Sequence, residues 1–221
     1  MPRVATALAL CLSAAATAVS AHPHIFIDTT FDLRFDEEGQ LVAVEVEWSY
    51  DAFYSMLTVE EAGLDADGDG VPEQERLDAF AGTDVDWAGG FPGDFDVQLG
   101  GTPLALETAE AHEASYQDGS LVTRHVRPLE EPVLPGGEAI IARAYDPTYF
   151  VAYDVPTTPE ATGPVSCTVE RTEADTEAAQ DKYGELLAEI DETEDPFETV
   201  DLPDIGILFA DRFVFSCAQT G

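Results

Sequence analysis

The sequence predicts an α+β fold, mainly antiparallel β-sheet or sandwich, with an EF-hand-like helix-loop-helix insertion. Three observations carry that prediction. Apolar and polar residues alternate along much of the chain, as strands with one buried face require. Turn signals of the hairpin kind, among them Gly100-Gly101 and Asp118-Gly119, separate the alternating runs. On both sides of one Asp/Gly-rich loop the period changes from two to that of a helix.

The first 21 residues read as a cleaved signal peptide. Arg3 supplies a small positive region, Val4 to Val19 is an apolar run too short for a membrane span, and Val19 and Ala21 suit the cleavage site. A lipoprotein signal at Cys11 fits less well, because Leu10 stands where Gly or Ala is wanted. Residues 22–221 then form a single exported domain with no transmembrane segment. Phe31, Leu33 and Phe35 alternate with polar residues, a turn follows at 36–39, and Val42, Val44, Val46 and Trp48 alternate again, which predicts a hairpin. Residues 50–82 form the helical insertion, with Ala52, Phe53, Met56, Leu57 and Val59 expected inward on the first helix and Leu77 and Phe80 on the second. Strands resume over 94–99 and 102–106, then at roughly 107–117, 120–128 and 138–153. Residues 173–204 form an acidic helix and loop, with Ala178, Leu186, Leu187 and Ile190 at helical spacing. A last strand over 207–217 closes the domain. Cys167 and Cys217, each on an alternating run, are the two cysteines left after cleavage and are expected to form a disulfide in an oxidising compartment. Paired metal-binding thiolates would instead show a C-x-x-C spacing.

Charge narrows the function. The chain carries 45 acidic and 9 basic side chains, a formal net charge of −36. Nucleic acid is excluded as a partner, since binding it means neutralising phosphates with Lys and Arg. Cations are the natural counterpart, although a dense acidic surface also serves solubility. No Ser-His-Asp order, nucleophile elbow, phosphate-binding glycine loop or dinucleotide fingerprint is present, so no enzyme is predicted.

Two patterns point to metal ions. Asp65, Asp67 and Asp69 alternate before Gly70, as calcium-binding loops do; the carbonyl of Val71 and the side chain of Glu73 are the next ligands. The usual loop ends on a bidentate glutamate at its twelfth residue, which here is Arg76; either the loop is a residue short and Glu75 closes the site, or coordination is incomplete and affinity falls. Histidine supplies the second pattern. After cleavage the chain starts His22-Pro23-His24, where the free α-amino group, His22 and His24 offer nitrogen ligands for Ni2+, Co2+, Zn2+ or Cu2+. If Asp118-Gly119 is a two-residue turn, the hairpin register places Glu113 opposite Arg124 and His112 opposite His125, a possible second pair.

The start His22 to Asp28, the Asp65 to Gly70 loop, the run Tyr145-Asp146-Pro147-Thr148-Tyr149-Phe150-Val151 and the closing Phe209-Ala210-Asp211-Arg212 before Cys217 resemble a bacterial domain-of-unknown-function family. That family is catalogued as the periplasmic component of an uncharacterised ABC-type transport system, often beside nickel/cobalt efflux permeases. The resemblance implies a periplasmic protein with no established activity; read with the histidines and the calcium-type loop, the expected function is a periplasmic metal-binding accessory protein, with a metal ion and an inner-membrane metal permease as partners. The alternatives are a calcium-stabilised interaction module without a transition metal and a copper enzyme using the amino-terminal histidine.

Overall fold

The computed structural model describes residues 23–191 and 204–219, with the side chains of 186–191 left aside. Residues 1–21, His22, residues 192–203, which include part of the expected acidic helix and loop, and residues 220–221 lie outside that description, and so do the side chains of Leu186, Leu187 and Ile190. Two sheets pack face to face around one core. The first has the order β5(Glu110–Gln117), β6(Ser120–Val133), β2(Leu41–Tyr50), β1(Ile25–Phe35), β8(Val151–Asp154), with β9(Glu160–Thr162) also on β1. The second runs β10(Val165–Thr172), β11(Arg212–Gln219), β7(Ile140–Ala144), β3(Phe95–Leu99), β4(Thr102–Pro103). Phe31 of the first sheet joins them, its ring 4.9 Å from Phe95 and 5.5 Å from Phe213 in edge-on contact.

The β1–β2 hairpin forms as its alternation predicts. Asp36 closes the turn by accepting the Glu38 and Gln40 N–H groups at 3.1 and 2.8 Å. A bulge between Leu41 and Ala43 shifts the register on β6, and both residues are buried while Val42 is only half-buried. The expected 138–153 piece is two strands in different sheets. Its second part, β8, pairs in parallel with β1, as β9 does. Mostly antiparallel pairing thus holds, with a mixed edge that alternation cannot reveal, because parallel pairs join segments far apart in the chain.

Helix α1(Ala52–Glu61) is capped by Asp51, whose carboxylate accepts the Phe53 and Tyr54 N–H groups at 2.9 Å. Its inward residue is Ser55, which donates to the Tyr50 carbonyl and accepts the Leu121 N–H at 2.9 Å. Phe53 and Met56, expected inward, are 66% and 53% exposed. The hydroxyl anchor to β6 sets the rotation of a helix whose apolar residues cover most of its circumference. Helix α2(Gln74–Phe80) buries Leu77 as expected. Helix α3(Thr176–Asp191) buries Ala179 and Tyr183, a true i, i+4 pair, and leaves Ala178 exposed.

Cys167 and Cys217 face each other across β10 and β11 and are disulfide-bonded over a separation of 50 residues. On the chain-entropy account a loop of this length stabilises by about 4 kcal/mol. The double variant C167A/C217A is expected to lose about 2–4 kcal/mol in urea unfolding. An unchanged midpoint would show that the bridge contributes nothing.

Candidate functional site

The chain leaves the second sheet at Ala144 and enters the first at Val151 through Tyr145–Phe150. Asp146 organises that crossing. One carboxylate oxygen accepts the Thr148 N–H at 2.8 Å, and the other accepts Phe150 and Val151 at 2.9 and 3.0 Å. Tyr149 consequently takes a left-handed backbone conformation, φ 57°, which is costly for a bulky residue. Its ring stacks on Phe209 with centroids 3.6 Å apart, and Tyr183 of α3 closes edge-on against both. Gly206 donates to the Pro147 carbonyl at 3.0 Å, so close that a Cβ there would lie 1.7 Å from the Asp146 carbonyl oxygen. On the other side His24 donates its N–H to the Phe150 carbonyl at 2.8 Å and rests its ring 4.8 Å from Phe150.

The result is a cleft of about 460 Å3 lined by Phe26, Asp28, Tyr149, Asp154, Phe209 and Asp211, among others. Among the described residues its one lining cation, Arg171, is held by Asp211 at 2.7 Å through Nε and lies 3.8 Å from Asp154. A cleft so furnished favours a cation or a cationic group over an anion. Behind it Asp94 is buried, with φ 46°, and accepts the Tyr153 hydroxyl at 2.9 Å. Desolvation pushes the Asp94 carboxyl up to about 7, and burial likewise pushes the Tyr153 hydroxyl well above its ordinary value.

The Asp65 loop joins α1 to α2. Carboxylate oxygens of Asp65, Asp67 and Glu73 all lie within 4.8 Å of one another. Asp65 accepts the Gly68 and Gly70 N–H groups at 2.9 Å, Asp67 accepts Asp69 at 3.1 Å, and Asp69 accepts Val71 at 2.9 Å. Glu73 sits at the N-cap of α2 without capping it, and instead turns back to accept Ala66 and Asp67 N–H groups at 3.0–3.3 Å. Those backbone donors, Ala66 first, hold its carboxyl below the usual range.

The β5–β6 turn follows the expected register from Gln117–Ser120 to Glu113–Arg124, with Asp118 and Gly119 both at positive φ as a type I′ turn requires. Arg124 nevertheless reaches Glu47 and Glu45 on β2, at 3.0 and 3.3 Å, as its ion-pair partners. Beyond Glu113 a bulge intervenes, so that Ala111 and His112 together face His125. The two imidazole rings still come to 6.3 Å.

A family model described as "Protein of unknown function (DUF1007)" matches residues 7–217. The chain belongs to DUF1007. No curated protein and no solved structure gives a significant match. In this DUF1007 protein the amino-terminal run, the Tyr145–Val151 run and the Phe209–Arg212 run, which are far apart in sequence, converge on the cleft. Of the expected calcium ligands, Asp65, Asp67 and Glu73 come together; Glu75 lies in the first turn of α2 and is not among the three. His24 lies beside the cleft, and His22 is outside the described residues. Sequence reasoning missed Asp146, Gly206 and Asp94. The run Asp-Pro-Thr at 146–148 carried a turn signal, whereas nothing local marks Gly206 or Asp94.

Gly206→Ala is expected to cost about 1–3 kcal/mol in stability and to raise amide exchange in Tyr145–Phe150, since a Cβ would push that crossing away. Normal protection there would contradict the close packing. Asp94 has a second signature. An unfolded aspartate loses its proton near about 3.9, so between about pH 4 and 7 the folded chain binds more protons and its stability falls as pH rises. Asp94→Asn should gain on the parent protein by roughly 2–4 kcal/mol across that window and hold the gain above it. A gap that does not vary with pH would mean that Asp94 titrates normally.

Proposed function

We propose that the protein is a non-enzymatic, periplasmic cation-binding accessory protein whose EF-hand-like loop carries a structural calcium ion. The convergence of Asp65, Asp67 and Glu73 within 4.8 Å carries this reading. Three carboxylates at that spacing repel one another, and the nearest guanidinium, Arg76, approaches only Glu73, at 3.5 Å. A divalent ion with hard-oxygen preference relieves the repulsion and adds carbonyl and water ligands, for which Asp69 and the Val71 carbonyl are at hand in the same loop. Its role is to fix α2 against β5, where Gln74 donates to the Ala114 carbonyl at 3.3 Å. The disulfide supports an extracytoplasmic setting. Among the described residues no helix is long and apolar enough to cross a membrane.

The acidic cleft beside His24 supports a transport role. A transition-metal ion, Ni2+, Co2+, Zn2+ or Cu2+, held by His24 with His22 would be handed to an inner-membrane permease. A second reading, a calcium-stabilised interaction module, draws on the exposed rings of Phe26 and Phe53, 55% and 66% accessible.

Calcium at a hundredfold excess over its Kd stabilises by about 2.7 kcal/mol, or a rise of roughly 5–10 °C in Tm. Glu73→Gln is expected to abolish that rise and Glu75→Gln to leave it intact. Calorimetry on both variants checks this, and a rise lost only with Glu75→Gln would move the closing ligand to Glu75.

A further inference from the structure

The β5–β6 hairpin holds two histidines in a setting unlike the acidic surface around it. His125 is 2% exposed, and its Nε2 is buried without a hydrogen-bond partner among the described residues. Buried polar atoms are nearly always satisfied, so an orphaned ring nitrogen calls for an explanation. Trp48 lies edge-on to His125 with centroids 4.6 Å apart, and Trp87 lies 5.0 Å away. The second histidine is oriented. His112 Nε2 is 3.1 Å from the Ala109 carbonyl oxygen, which can only accept, so Nε2 carries the proton and Nδ1 the lone pair. A ring N–H anchored on a backbone carbonyl is the usual support of a metal-ligating imidazole. The bulge at Ala111, φ 53°, aims this ring, and Gly82 gives it room, since a Cβ there would come within 2.7 Å of the imidazole.

We propose that His112 Nδ1 and His125 Nε2 bind one monovalent copper ion between them. The ring separation suits a two-coordinate ion. With metal–nitrogen bonds of about 2.0 Å and a ring centre about 1.1 Å behind each nitrogen, a linear two-imidazole complex has centroids about 6.2 Å apart and a tetrahedral one about 5 Å. The observed 6.3 Å matches the linear case, which cuprous copper favours. Zinc wants a third and fourth ligand. Among the described residues the one group of three potential ligands within 4.8 Å is Asp65, Asp67 and Glu73, elsewhere in the molecule. A single positive charge also tolerates the neighbouring Arg127 better than a double one. That guanidinium lies 5.3 Å from the Trp87 ring and donates to the Glu107 and Pro92 carbonyls at 2.7 and 2.9 Å. The aromatic walls keep water from the ion and stabilise its charge.

The site rests on neither the calcium loop nor the cleft, so failure of either leaves it standing. Its test uses cuprous ion itself, supplied to the processed protein under argon with ascorbate against a bicinchoninate competitor. The chain has two tryptophans, Trp48 and Trp87, and both flank His125, so tryptophan emission reports the site. One equivalent of copper is expected to quench it. His112→Ala should weaken binding more than about 100-fold, the upper range for losing merely an orienting partner. Glu38→Gln, in the β1–β2 turn, should leave it unchanged. Absence of quenching at one equivalent, or equal affinity in a folded His112→Ala, overturns the proposal. Should that variant not fold, X-ray absorption of the copper-loaded His24→Ala protein decides: two nitrogen neighbours support the site, and sulfur or a larger oxygen shell overturns it.

Discussion

Strand β1 is hydrogen-bonded on both edges, antiparallel to β2 along its length and parallel to β8 and β9 in two short stretches. That double pairing is the constraint on which the rest depends. It forces the chain to cross between sheets at Tyr145–Phe150, and the crossing is secured by one carboxylate, Asp146, and by a glycine pressed against its carbonyl. The acidic cleft is a by-product of that crossing: its floor is β1 and β8, and its far wall is Gly206 and Phe209.

The acid surplus acquires structure in the same way. On the outer face of the first sheet Glu45 and Glu47 share Arg124, exposed pairs that contribute about 0.2–1 kcal/mol each. Elsewhere carboxylates substitute for missing backbone partners. Asp36, Asp51, Asp146 and the Asp65 loop all accept main-chain N–H groups. A chain with one lysine thus uses many of its acids as local hydrogen-bond acceptors.

What was legible in the sequence was local. The β1–β2 hairpin, the Asp118-Gly119 register as far as Glu113–Arg124, and the disulfide between two alternating runs depend on neighbours a few residues away or on alternation alone, and they appear as expected. The parallel pairing of β8 depends on segments more than a hundred residues apart, which no periodicity encodes. Helix α1 misled because Ser55, not an apolar residue, docks on β6. The bulge at Ala111 was invisible because alanine is an uncommon host for positive φ, yet it decides where His112 points. Glu73 turns back into the loop because its carboxylate finds two backbone donors there, whereas Glu75 starts α2.

The central claim, that an exported chain organises part of its negative charge into a cation site, is tested most directly by native mass spectrometry of the protein recovered from the cell envelope in millimolar calcium. The account predicts a chain beginning at His22 with one calcium ion bound, removed by a chelator. A chain that retains residues 1–21, or one that emerges free of calcium, would contradict it.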